Sequence, residues 1–297
     1  RQTERTLKIE LPRSVGAQYA TGEYIYFLDS DDMIKPNAIE ILYNKAKSDK
    51  LDVLCFDGET FFENEQLEKI YKFEERWCVR NKEYTAIKVG KDLLIEMLFN
   101  NDYKAVVWIL FINREFFNSN KLSFINGILY EDNPFTLEVF IKANRVSHIK
   151  DRLYIRRVRE SSITTSNSTF NRPYGFFVCY IKMMELTNQY LTNVNYNSLI
   201  FKEVFRMIKC CRSEFAKCSK DEKEKYLLLE PVEQEMFKYL VVDYCNSENK
   251  CKSLVKKVKR LEEDVKKNIE IQKQFKKNDI YLRKSIANLR NGWSFRI

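Results

Sequence analysis

The run Glu23-Tyr24-Ile25-Tyr26-Phe27-Leu28 passes without a break into the acidic cluster Asp29-Ser30-Asp31-Asp32. Aromatic and β-branched side chains in so short a run predict a buried strand, which delivers carboxylates to the edge of a sheet. Gly22, just ahead, marks the end of a preceding helix. Pro36 opens a helix to about Ser48, with Ile39, Leu42, Tyr43 and Ala46 on one apolar face. Asp52 to Phe56 is a second strand, and strand–helix–strand order means an α/β domain.

The pattern continues along the chain. Asp57 to Tyr84 lacks a period and predicts an irregular or hairpin insertion, and helix resumes from Gly90 to Phe99. The apolar run from Ala105 to Ile112 predicts a buried strand, with a helix near Arg114 to Asn118. Asn126-Gly127 is a turn signal. Tyr130-Glu131-Asp132-Asn133 leads to Pro134, placed where a first helical turn tolerates proline, and that helix reaches about Ala143. Strands are expected at Val146 to Ile149 and Leu153 to Val158. Beyond Arg172 the pattern turns helical: Tyr174 to Tyr190, Leu199 to Lys217, Asp221 to Tyr244, and an amphipathic stretch from Cys251 to about Leu289. The Ser/Thr/Asn-rich segment 161–171 places a boundary near residue 168, between a domain 1–168 and a helical region 169–297.

Composition narrows the chemistry. A chain of 297 residues can bury one sizeable core plus an appendage, and only 7 Gly and 5 Pro argue for long helices over a loop-rich β fold. The single histidine, His148, excludes a His-rich metal site and a Ser-His-Asp triad, and reads as structural. The 8 cysteines form no C-x-x-C pair and predict reduced thiols in a cytoplasmic protein; Cys210-Cys211 read as packing residues. No apolar run approaches the roughly 20 residues of a membrane span. Much of the net charge of +9 falls in the terminal helix, which reads as a solvated face. Peripheral contact with an anionic inner membrane surface is the second reading of that helix, although it has no Trp or Phe face to insert. No nucleic-acid partner is expected.

Carboxylates at these positions suit transfer from a nucleotide-activated donor. A hard cation, Mn²⁺ or Mg²⁺, takes one or two carboxylates plus phosphate oxygens, a role open to Asp29-Ser30-Asp31-Asp32. A general base for the incoming hydroxyl is open to Glu131 or Asp132. The plainer reading of the first cluster is helix capping by Asp32.

The longer stretch Ala20-Thr21-Gly22-Glu23-Tyr24-Ile25-Tyr26-Phe27-Leu28-Asp29-Ser30-Asp31-Asp32 closely resembles the D-x-D segment of family 2 glycosyltransferases, inverting enzymes of the GT-A fold. Arg13-Ser14-Val15-Gly16 is similar to their A-R-N-x-G element, with Ser14 in place of Asn and Pro12 in place of Ala. Tyr130-Glu131-Asp132 with Phe135 resembles their E-D motif. The segment from Tyr154 to Thr164 resembles Y-x-Y-R-x-R-x-x-S-I-T, and Asn291 to Ile297 faintly resembles a C-terminal S-x-S-F-R-I-G element.

The resemblance implies an incomplete GT-A (Rossmann-like) mixed sheet with flanking helices. It implies that Asp29 faces the nucleotide, that Asp31, with Asp29, holds the metal, and that Asp132 is the base with Glu131 beside it. Arg157 and Arg159 lie where the family has basic residues near the diphosphate; pairing with surface carboxylates is the plainer reading. The implied partners are a nucleotide-sugar donor, UDP-linked, and a glycan or lipid-linked glycan acceptor for cell-surface polysaccharide. The chain begins at Arg1, and the family's opening strand and V-D-D-G-S-T-D element are not in it, so the expectation is a catalytic domain shortened at its nucleotide-binding end. Around Trp108 the family's W-N-K-L-Y is Trp108-Ile109-Leu110-Phe111-Ile112 here; Trp108 itself reads as core. Two rivals stand beside this reading. One is an inactive remnant serving as a helical association module, and the other is a nucleotidyltransferase.

Overall fold

The structure, a computed structural model, describes residues 13–159, 169–190 and 194–245. A compact unit extends to Phe237 and a second begins at Lys238. The sheet, its helices and the acidic site belong to the first.

A helix over 13–19 (α1) leads to β1 (Tyr24–Tyr26), β2 (Met33–Ile34) and α2 (Ala38–Ser48). Then follow β3 (Val53–Phe62), α3 (Glu65–Tyr71), α4 (Gly90–Phe99), β4 (Leu110–Asn113), α5 (Arg114–Ser119), α6 (Asp132–Lys142) and β5 (Val146–Val158). The helical part opens with α7 (Asn171–Tyr190) and α8 (Val194–Lys217), and continues through α9 (Lys220–Glu224) and α10 (Pro231–Phe237). Five strands form one mixed sheet in the order β1-β4-β3-β5-β2, parallel between β3 and β5 and antiparallel elsewhere.

Side-chain alternation explains why the sheet is covered on both faces. Along β3, Val53 and Cys55 enter one core and Leu54 and Phe56 the other. Along β4, Leu110 and Ile112 share the first core and Phe111 the second. A strand covered on both faces reads as an unbroken apolar run, which is what 105–112 is. Helix α2 covers one face with Ala38, Leu42 and Ala46. The other face meets Leu93, Leu94 and Met97 of α4, Phe135 and Val139 of α6, Met183 of α7 and Val204 of α8.

Several expectations are corrected. Strand β1 has three residues and lies at the sheet edge, with only Ile25 buried. The segment 57–84 is not irregular: β3 runs on to Phe62, and α3 and a 3₁₀ turn, Lys72–Trp77, follow. Only Leu67 of α3 is buried, so the helix has no apolar stripe to betray it. The two strands of 146–158 are one: a register shift after His148 leaves the exposed Lys150 and Asp151 without a partner on β3, and pairing resumes at Arg152. The helix expected over 221–244 breaks at Leu229, whose backbone is extended ahead of Pro231. The terminal stretch 251–289 and the segment 291–297 lie outside the described residues.

His148 is structural, as expected, and belongs to a buried ionic group. Arg80 donates to Asp57 Oδ1 (3.0 Å) and to the Phe56 carbonyl (2.8 Å), and His148 Nε2 lies 3.1 Å from Asp57 Oδ1. Burial lowers the His148 pKa from its ordinary 6.5, against the hydrogen bond its ring shares with the Asp57 carboxylate. A histidine with a depressed folded pKa stabilises fully above its unfolded pKa and loses that contribution as pH falls. Wild type should therefore lose more thermal stability than His148→Gln between about pH 7 and about pH 5. Parallel melting curves for the two proteins across that range would contradict the assignment.

Candidate active site

Three carboxylates from two distant parts of the chain converge on one guanidinium. Arg13, at the start of α1, donates through Nη1 to Glu131 Oε1 and Asp132 Oδ1, both at 2.7 Å, and through Nη2 to Asp29 Oδ1 at 2.5 Å. Its ring of partners outweighs desolvation: burial works against the charge, but Asp132, Asp29 and Glu131 together push the Arg13 pKa further above its ordinary value. Three carboxylates against one cation leave the site net negative.

Glu131 is the least exposed of the three, and Asp132 is half-buried. Asp132 sits in the first turn of α6, and its second oxygen, Oδ2, accepts from the Val107 backbone N–H at 3.2 Å. Burial raises its pKa above the ordinary carboxylate range, more than Arg13 pulls it down. The donor at Val107 is available because the chain makes a 3₁₀ turn over Val107–Ile109 before entering β4. The predicted strand from 105 therefore begins only at Leu110.

The backbone before Asp132 is bent sharply. Tyr130 has φ +69°, a left-handed conformation rare for an aromatic residue, and its ring stacks on Phe176 with centroids 3.9 Å apart. Gly175 of α7 permits the close approach behind it, since a Cβ there would lie 2.5 Å from the Leu129 carbonyl oxygen. Gly175→Ala should destabilise the fold by about 1–3 kcal/mol and lower turnover by displacing the Glu131-Asp132 turn. Urea melts combined with turnover assays check this, and an unchanged melt would rule out the contact.

The acidic run is pinned to the far end of the sheet. Asp32 does not cap α2, whose N-cap is Asn37. Instead its Oδ1 accepts from the Arg157 backbone N–H (2.8 Å) and its Oδ2 from the Tyr154 hydroxyl. Burial raises the Asp32 pKa against those two bonds. Asp31 accepts from Arg159 Nε and Nη2 at 3.1 and 3.0 Å and stays 39% exposed. Arg157 pairs with Glu63 at 2.5 Å. Trp108 is core, buried and stacked on Tyr154 at 4.4 Å, and its carbonyl accepts from the Tyr26 hydroxyl at 3.1 Å.

Among the described residues no group of three or more His, Cys, Asp or Glu side chains is arranged to hold a metal ion. A cation here would take one or two carboxylates of the acidic run, the donor set hard cations use when phosphates complete the sphere. The half-exposed Asp31 fits that requirement.

Residues 11–110 match the family described as Glycosyl transferase family 2. That segment belongs to glycosyl transferase family 2. Glu131, Asp132, Arg157 and Arg159 lie beyond the matched residues, and Arg13 ties the first two to the matched segment by direct bonds. The chain is similar to the cholesterol galactosyltransferase of Borreliella burgdorferi, 26% identical over 174 residues, 57% of this chain and 47% of that protein. It is similar also to the glycosyltransferase GlyG of Streptococcus pneumoniae, 28% identical over 151 residues, 51% and 49% of the two chains. A third relative is the poly(ribitol-phosphate) beta-N-acetylglucosaminyltransferase TarP of Staphylococcus aureus, 22% identical over 197 residues, 66% and 51%. The chain spans about half the length of the curated relatives it matches. In fold it resembles S. aureus TarS 1-349, with a TM-score of 0.50, 16% identity, and coverage of 73% of this chain and 57% of that one. The GT-A type mixed sheet expected of a family 2 chain is therefore present.

Arg13 was missing from the predicted site. Its one signal in the sequence was similarity to the A-R-N-x-G element, which names the residue but not its partners.

Proposed function

We propose that the protein transfers a sugar from a nucleotide-sugar donor to a glycan hydroxyl with inversion at the anomeric carbon. The observation that supports this most strongly is the Arg13 bridge, which brings Asp29 of the D-x-D run and the Glu131-Asp132 pair to a single guanidinium. Asp132 takes the proton from the acceptor hydroxyl as its oxygen attacks the anomeric carbon. The bond from that carbon to the donor phosphate breaks, and nucleoside diphosphate leaves. Raised by burial, the Asp132 pKa moves toward the working pH, which suits a base, and each of its oxygens keeps a second lone pair beside its present donor.

Asp29 fixes Arg13 and borders the nucleotide, Glu131 positions Arg13 beside Asp132, and Arg159 orients Asp31. Asp31, with Asp29 beside it, would hold a divalent cation such as Mn²⁺ or Mg²⁺, which when bound neutralises charge on the departing diphosphate. Arg157 and Arg159 lie at the same end of the sheet, where exchange of a carboxylate partner for phosphate is chemically equivalent for a guanidinium. UDP-linked sugars are the donors to try first, with cell-surface glycans as acceptors. Among the described residues no helix is long and apolar enough to cross a membrane.

The test is product identity from the full-length protein with a panel of sugar nucleotides. Release of nucleoside diphosphate, dependent on Asp31, is expected. Release of pyrophosphate would replace this reading with nucleotidyl transfer.

A further inference from the structure

A cavity of about 520 Å³ opens between the turn at Trp77, the end of α4, the stretch 103–105 and helix α8. The charged side chains in its wall are Arg76, Lys104, Arg206 and Glu203, three cations against one carboxylate. Glu203 is committed to Arg206 at 2.6 Å, and the Arg76 guanidinium lies 5.0 Å from the Trp77 ring centroid.

Lys104 stands out among them. It is 7% exposed, and its ammonium forms no hydrogen bond or ion pair among the described residues. The nearest acids are otherwise employed. Asp102 accepts from Asn81, Lys82 and Tyr84, and Asp57 from Arg80. Burial first, and then repulsion from Arg80, holds the Lys104 pKa below its ordinary value. An ammonium at a cavity wall that also carries two guanidinium groups favours an anion there.

The cavity is also coupled to the carboxylate site. Arg206 Nη2 donates to Asn133 Oδ1 at 3.1 Å, next to Asp132, and Lys104 lies three residues ahead of Val107, whose N–H holds Asp132. Tyr103, also in the wall, bonds Thr136 at 2.8 Å, and Thr136 bonds the Asp132 carbonyl at 2.7 Å.

We propose that this cavity binds an acidic sugar, its phosphate or carboxylate meeting Lys104 and Arg76 and its ring lying against Trp77. Its role as a subsite for an acidic acceptor rests on the transfer reading above; the binding itself does not.

Calorimetry on the full-length protein would compare glucose 6-phosphate, glucuronate, inorganic phosphate and methyl glucoside. At least one acidic sugar should bind about tenfold or more tighter than methyl glucoside, as a charge-assisted contact requires. A preference for the phosphate sugar or for the carboxylate sugar identifies which acid the site takes. Lys104→Met keeps the side-chain volume, removes an unpaired charge, and should fold normally while reducing acidic-sugar binding to the neutral level; Arg76→Gln should weaken it by a smaller factor. Equal binding of neutral and acidic sugars, or undiminished binding to Lys104→Met, overturns the proposal. Inorganic phosphate binding as tightly as both acidic sugars overturns the assignment to a sugar. Nucleoside diphosphate release, followed in the same samples, separates the two readings. Release without acidic-sugar selectivity defeats this proposal alone, and selectivity without release of any nucleoside diphosphate defeats the transfer reading alone.

Discussion

Asp132→Asn should lower sugar transfer by a factor of about 10²–10⁴, the usual contribution of a positioned base, while donor binding persists and the melting temperature holds or rises. Loss of activity and retention of stability have one cause. The half-buried carboxylate is raised in pKa by desolvation, so its ionised form is held at a cost in the folded protein. By linkage, an acid with a raised folded pKa stabilises below its unfolded pKa and loses that contribution as pH rises. Replacing it with an amide of the same shape removes this penalty at neutral pH. Arg13 still has Asp29 and Glu131 as partners. Calorimetric donor binding, turnover and thermal melts on the same preparation test all three parts. A variant with near-normal turnover would remove Asp132 from the mechanism, and one that unfolds would make its role structural.

Arg13→Met should be damaging in both respects. It leaves Asp29, Glu131 and Asp132 facing one another with no bridging cation, and loss of one partner from such an enclosed group costs about 3 kcal/mol. Transfer should be lost as well, because the two halves of the site are no longer tied. Protonation of the carboxylates relieves the repulsion, so the stability deficit should shrink as pH falls toward about 4, near the ordinary Asp value. Arg13→Lys keeps the charge but cannot fork among three carboxylates, and should recover stability more than activity. Urea denaturation of the three proteins at several pH values checks this; a deficit that grows on acidification would show that Arg13 is not held by its charge.

Much of this site was legible in the residues. The acidic run needed no structure to be noticed, since a strand that ends in three carboxylates advertises a sheet edge. The helix from Gly90 to Phe99 was readable end to end because its buried Leu93, Leu94 and Met97 share one face. The sequence concealed whatever depends on contacts far along the chain. Arg13 and Glu131 are separated by 118 positions, and nothing local to Arg13 specifies a carboxylate partner. Asp57 lies in a strand where a charge argues against burial, and only Arg80 and His148, 23 and 91 residues away, make it tolerable there. Trp108 was readable as core, but the turn that carries it exists to offer Val107 N–H to Asp132 and leaves no trace in the apolar pattern. The cavity at Lys104 was invisible for the same reason, since its three cations come from three separate stretches of chain.

The most direct test of the central claim is the anomeric configuration of the first product, read by proton NMR during turnover of an α-linked nucleotide sugar by the full-length protein. Single displacement with Asp132 as base predicts a β-linked product as the first species formed. An α-linked first product would contradict the account, because no arrangement with one base and one in-line attack retains configuration.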